Sequence, residues 1–257
     1  MKKIISSVIF IMSLLIAGQA YAHVDYTVLP QDTPFTTDVL TDFAWYEGTQ
    51  PGLANSHDFR WFSFDLSGTS KVSISVAATG AGDFVGNEGP VSSVGALDVG
   101  FTLYSGVVPL ESIESDTLTG TGFGGFGGFN DQGVATTQDQ TTAASAFVGA
   151  GPGDVTLGNA DGDWATIGYI THVNNGGAGV TEMLNNWLLQ AGSYTLLVGG
   201  ASQPLFDGDG ITLLNDGSYG LIANLTVQPV PVPGAVWLFG SAMAGLAGFG
   251  RRKKGAA

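Results

Sequence analysis

Repeated stretches of this chain alternate apolar and polar residues with a period of two. That pattern restricts the body to sheets packed face to face. Phe62, Phe64 and Leu66 share one face, with Ser63 and Asp65 on the other. Val72, Ile74 and Val76 alternate with Ser73 and Ser75. Val99, Phe101 and Leu103 repeat the pattern, as do Tyr194, Leu196 and Val198, and the run Tyr219, Leu221, Ala223, Leu225 and Val227. Successive side chains of a strand point to opposite faces, so each run presents one apolar face to a shared core. The 40 glycines, with abundant Thr, Ser, Asn and Asp, supply turns between short strands. The fold class expected is all-β: a jelly-roll-like β-sandwich with long Gly-rich loops. Residues 181–189 carry a mixed signal. Val180, Leu184, Trp187 and Leu188 could line a helix face, Asn185 and Asn186 weaken it, and a short helical turn feeding a strand is expected there.

The two ends are processing and anchoring chemistry. Lys2 and Lys3 precede an apolar run from Ile4 to Ala17, and Ala20-Tyr21-Ala22 offers small side chains at both positions that signal peptidase reads. Residues 1–22 are therefore expected to be removed, leaving His23 as the mature N-terminus. At the far end, Pro231-Val232-Pro233 leads into an uncharged apolar run that stops at Arg251, Arg252, Lys253 and Lys254. A helix over 234–250 would span roughly 25 Å, just short of a hydrocarbon core, so its flanking cations must snorkel. The basic cluster belongs on the cytoplasmic side, which puts the body on the other.

Trimming both ends sharpens the charge. Residues 23–228 keep two basic side chains, Arg60 and Lys71, against all 22 acidic ones, a net charge of −20. With no basic patch to displace counterions, nucleic-acid binding is excluded, and anionic lipid is a poor partner for the body. An acidic surface suits divalent cations or solubility in an extracellular matrix. The chain has no cysteine. Its core must hold without disulfides, and thiol catalysis, zinc–thiolate sites and iron–sulfur clusters are excluded.

The tail resembles the PEP-CTERM sorting signal of Gram-negative bacteria. The features that carry the resemblance are Pro231 and Pro233, the stretch containing Trp237 and Gly240, the Gly-rich apolar run and the terminal Arg251, Arg252, Lys253 and Lys254. The family's usual Glu between the prolines is Val232 here, which matches a variant with Val-Pro-x-Pro before the helix. The resemblance implies cleavage by an exosortase-type membrane enzyme, and delivery to the cell surface or into exopolysaccharide. A plain C-terminal membrane anchor is the simpler alternative. The body is similar, more diffusely, to the pre-peptidase C-terminal domain family of secreted β-sandwiches. The matching segments are Trp61-Phe62-Ser63-Phe64-Asp65, Asp98 to Tyr104, Gly192-Ser193-Tyr194 and Tyr219-Gly220-Leu221. On that alignment, residues 105–186 are a long insertion. Three domains follow: signal peptide 1–22, acidic body 23–228 and sorting signal 229–257.

Candidate chemistry is sparse. Asn159-Ala160-Asp161-Gly162-Asp163 and Asp207-Gly208-Asp209-Gly210 alternate oxygen side chains with glycine, as a loop wrapping a hard cation would. Asp161, Asp163, Asp207 and Asp209 are thus candidate calcium ligands; the competing reading is an Asx-type turn. Phe123, Phe126 and Phe129, spaced among glycines, offer either a contact loop or pins holding a long loop to the sandwich. His23, once exposed as the N-terminus, could form a copper site with His57 or His172, of the kind used by lytic polysaccharide monooxygenases; a frayed terminus is the plainer reading. No G-x-S-x-G, H-E-x-x-H or P-loop occurs. The expectation is a non-catalytic surface or matrix protein, with a carbohydrate-binding module or glycan-active enzyme as the alternative. Its partners would be signal peptidase, an exosortase-type enzyme, the membrane through its tail, and exopolysaccharide.

Overall fold

The computed structural model describes residues 24–45, 58, 60–112, 148–149, 154–159, 161–202, 205, 207–208, 214, 216–231 and 241–244. Thirteen strands are described: β1 (Tyr26–Val28), β2 (Phe35–Thr41), β3 (Arg60–Leu66), β4 (Ser70–Ala78), β5 (Gly82–Gly86), β6 (Gly89–Ser93), β7 (Val99–Ser105), β8 (Val148–Gly149), β9 (Val155–Gly158), β10 (Trp164–Val173), β11 (Glu182–Leu189), β12 (Gly192–Gly200) and β13 (Asp216–Pro229). One sheet has seven strands in the order β1-β3-β12-β7-β10-β9-β8 and the other has four, β11-β4-β13-β2; β5 and β6 form a separate hairpin. The chain is an all-β sandwich.

The alternating runs build the inner core as their period demands. Phe62, Phe64, Leu66, Val72, Ile74, Val76, Val99, Phe101, Leu103, Tyr194, Leu196, Val198, Tyr219, Leu221, Ala223 and Leu225 all join one buried cluster, with Val227 packed against it. Tyr194 stacks on Phe64 at 5.3 Å, and its hydroxyl donates to the Gln190 carbonyl four residues back at 2.8 Å. The aromatic ring therefore enters the core with its polar atom satisfied.

Three expectations need correction. Residues 182–189 form strand throughout rather than a helical turn. The pairing with β4 shifts register between Leu184 and Trp187, and Asn186 has φ 52° with its N–H bonded to Ser73 Oγ at 3.0 Å. The extra residue of such a bulge flips side-chain parity, which imitates helical spacing. Second, 105–186 is not wholly an insertion. β10 pairs with β7 inside the seven-stranded sheet, so part of that segment belongs to the framework. Third, that sheet is apolar on both faces. Trp45, Trp61, Tyr104, Leu157, Ile167 and Leu197, with Val24, Ala44 and Val108, make a second buried cluster on its outer face. Trp45 lies so close over Gly100 that a Cβ there would sit 2.4 Å from its ring, and its indole N–H donates to Thr102 Oγ1 at 2.9 Å.

Arg60 buckles the sheets together. Its guanidinium contacts Asp38 Oδ1 at 2.9 Å and Glu88 Oε2 at 3.0 Å, joining the start of β3 to β2 and to the turn between β5 and β6. Thr37 Oγ1 donates to the same Glu88 oxygen at 2.9 Å.

Among the described residues, no helix is long and apolar enough to cross a membrane. Residues 241–244 are helical and Pro231 is exposed. The rest of the expected span 234–250 lies outside the described residues, as do Ala20, Ala22, His23, Val232, Pro233, Trp237, Gly240, Arg251, Arg252, Lys253, Lys254 and the phenylalanines at 123, 126 and 129.

Candidate functional site: a carboxylate pole

Strand direction sorts the connections between two poles. β2, β4, β10 and β12 end at one pole, where β3, β7, β11 and β13 begin, as the registers Asp216 with Thr41, Leu221 with Ala78, Val173 with Phe101 and Gly200 with Val99 require. The chain leaves β13 at the opposite pole, where the Val230 N–H bonds the Thr69 carbonyl at 2.9 Å.

The buried carboxylates are concentrated at the first pole. Among the described residues only Asp42 (7% exposed), Asp58 (9%) and Glu182 (2%) are buried acids, and each stands at a strand end or beginning there. Asp42 follows β2. Its Oδ1 accepts the Asp98 N–H at 2.8 Å and its Oδ2 accepts the Ser202 hydroxyl at 2.8 Å, so one side chain ties the ends of β2 and β12 to the start of β7. Asp98 enters this tie through its backbone N–H. The fit is close: a Cβ on Gly200 would lie 2.3 Å from the Asp42 Cα.

Electrostatics set this pole apart. Burial pushes the Asp42 carboxyl up to about 6, only partly opposed by the bonds from Asp98 and Ser202, and the neighbouring Asp98 charge pushes the same way. Burial likewise raises Asp58 to about 6, opposed by the neighbouring Thr41 hydroxyl and assisted by the Asp216 charge. The Tyr219 hydroxyl is raised first by burial, then by the fields of Asp42 and Asp216. These groups occupy one negative field.

Of the predicted calcium ligands, the structure brings Asp207 into relation with this pole and leaves Asp161 and Asp163 at the other. The segment carrying Asp207 leaves Ser202, which is bonded to Asp42, and returns at Asp216, which faces Asp58; a bond from the Leu214 N–H to the Leu205 carbonyl at 2.7 Å closes its stem. Asp209 lies outside the described residues. The 159–163 loop is the turn between β9 and β10. Asn159 Oδ1 accepts the N–H groups of Asp161 and Asp163, each at 3.1 Å, and Gly162 takes φ +87°. This is an Asx-type turn with both aspartates exposed. Among the described residues, no group of three or more His, Asp or Glu side chains converges as a metal cage.

For the copper alternative, His57 joins His23 outside the described residues. His172 is half-buried on β10, its Nδ1 2.5 Å from the Tyr169 hydroxyl and its ring 6.0 Å from Trp45. Sequence reasoning missed Asp42, Asp58 and Glu182. The available signal was an acid at the edge of an apolar run, as in Glu182-Met183-Leu184, where Glu182 takes the inward parity of Leu184.

No protein-family model and no curated protein match this chain. Solved structures similar to it include CorA of Methylomicrobium album BG8, described as a surface-associated copper-binding protein important in copper acquisition. The identity is 13%, covering 80% of this chain and 98% of that one, with a TM-score of 0.45. Another is mercury-soaked MopE, a secreted protein of Methylococcus capsulatus in which an oxidised tryptophan facilitates copper binding. Here the identity is 15%, covering 77% and 85%, with a TM-score of 0.37. At these scores the likeness carries no functional argument. The class defined by fold and site is an acidic all-β sandwich with a buried-carboxylate pole.

Proposed function

We propose that this chain is an exported, non-catalytic protein of the cell surface or exopolysaccharide matrix, with a jelly-roll-like body carried between a cleaved signal peptide and a C-terminal sorting helix. In this reading signal peptidase exposes His23, an exosortase-type enzyme processes the tail, and the body contributes cohesion or adhesion aided by calcium. The observation that carries it is the polarity of the body. The tail departs at one pole, and the buried carboxylates gather at the other. A tethered body would present the carboxylate pole outward. In this reading the pole supplies the field, and Asp207 and Asp209 supply oxygen ligands. Extracellular calcium at millimolar levels suits sites of modest affinity.

N-terminal sequencing and whole-protein mass measurement of the surface form test the sorting reading. A chain beginning at His23 and lacking the 251–254 cluster is expected, and deletion of residues 230–257 should abolish surface retention. Recovery of an intact Met1, or unchanged retention after the deletion, contradicts it.

A further inference from the structure

Glu182 is the most buried acid among the described residues, and the bonds around it do not account for it. Its side chain is 2% exposed. Oε2 accepts one long bond, from Asn175 Nδ2 at 3.3 Å, and Oε1 is buried with no hydrogen-bond partner. A carboxylate removed from water needs donors, a counter-charge or a proton. The body offers two cations: Arg60 is committed to Asp38 and Glu88, and Lys71 is exposed near the far end of β11, opposite Leu188. Asn175, which bonds Glu182, belongs to the loop between β10 and β11. The loop from β10 to β11 reads Asn174-Asn175-Gly176-Gly177-Ala178-Gly179-Val180-Thr181. It is folded back by Val180 N–H on the Gly177 carbonyl at 2.9 Å and pinned to the Leu97 carbonyl by Gly179 N–H at 2.9 Å, with Gly179 at φ +80°.

We infer that Glu182, with the asparagine side chains and backbone carbonyls of the 174–181 loop, forms a calcium site at the root of β11. A hard cation prefers one carboxylate with amide and carbonyl oxygens, and takes six to eight such ligands in flexible geometry. It would complete Oε1 and neutralise the buried charge together. The site uses neither Asp207 nor Asp209 and stands or falls without them.

The test uses the purified full chain in detergent, stripped with chelator and titrated with calcium or magnesium chloride while the melting temperature is followed. Calcium should raise it and magnesium much less, because magnesium demands a tighter octahedral shell. Glu182→Gln should weaken the apparent calcium affinity at least tenfold, whereas the double variant Asp207→Ala, Asp209→Ala should leave this component in place. A Glu182→Gln protein that keeps the full calcium response overturns the inference. Infrared spectra of the Asp207→Ala, Asp209→Ala variant decide the matter should Glu182→Gln fail to fold. A shift of a carboxylate band on adding calcium is expected, and a neutral carboxylic acid band that calcium leaves unchanged rules the site out.

Discussion

The two poles of the sandwich use the same residue type in opposite ways. At the tail pole the acids sit in water. Asp161 and Asp163 are exposed beside a turn organised by Asn159, and Asp65 is an exposed strand residue accepting the Ser193 hydroxyl at 2.6 Å. At the other pole Asp42, Asp58 and Glu182 are buried, and two of them are pushed up to about 6. Solvent screens the first group, so its acids contribute charge and little else. The second group meets a desolvation cost at neutral pH that backbone and hydroxyl donors only partly offset. A protein retains such an arrangement where the buried acids fasten strand ends, as Asp42 does, or where a cation completes them.

The sharpest way to break the contrast is Gly200→Ala. Its Cβ would meet the Asp42 backbone at 2.3 Å, so two main-chain segments must part. The expected loss is about 3 kcal/mol, the upper part of the overpacking range, read from the midpoint of a urea transition. Asp42→Ala comes next. It leaves the Asp98 N–H and the Ser202 hydroxyl without their acceptor, at a cost of about 2 kcal/mol. Asp42→Asn keeps an acceptor for Asp98 and removes the charge, so it should cost less at pH 7 than Asp42→Ala. At the tail pole, Asn159→Ala removes the acceptor for two exposed N–H groups and should cost about 1 kcal/mol. Asp161→Ala and Asp163→Ala should each stay within about 0.5 kcal/mol, as exposed positions do. If those two cost as much as Asp42→Ala, the distinction between the poles fails.

The inner core was legible in the sequence because a sheet with one buried face writes its burial as a period of two. The outer core was not, because β7 and β12 are buried on both faces. Tyr104 and Leu197 then belong to one cluster while Leu103 and Leu196 belong to the other, and alternation carries no information about the second. Residues 182–189 misled for a different reason, since the bulge at Asn186 changes parity in mid-strand. The pole was only partly legible. Asp207 was singled out for its loop chemistry, but Asp42, Asp58 and Glu182 reach the same pole through pairings between strands far apart in sequence, and no local spacing announces them. Asn159-Ala160-Asp161-Gly162-Asp163 carries the same signal, and in the structure Asn159 organises the backbone of that loop.

The central claim is that the buried carboxylates make the fold sensitive to whatever neutralises them. A carboxyl whose pKa is raised on folding contributes stability that is present below its unfolded value, near 4, and is lost as pH rises through about 6. The direct measurement is therefore the melting temperature of the calcium-free protein between pH 7.5 and pH 5, repeated with saturating calcium. Without calcium it should rise as the pH falls through 6, while Asp42 and Asp58 take up protons. Calcium should raise it at pH 7.5 and flatten the dependence, with magnesium and added sodium chloride doing so much less. A calcium-free melting temperature that stays level or falls from pH 7.5 to pH 5, or an equal response to calcium, magnesium and salt, contradicts the account.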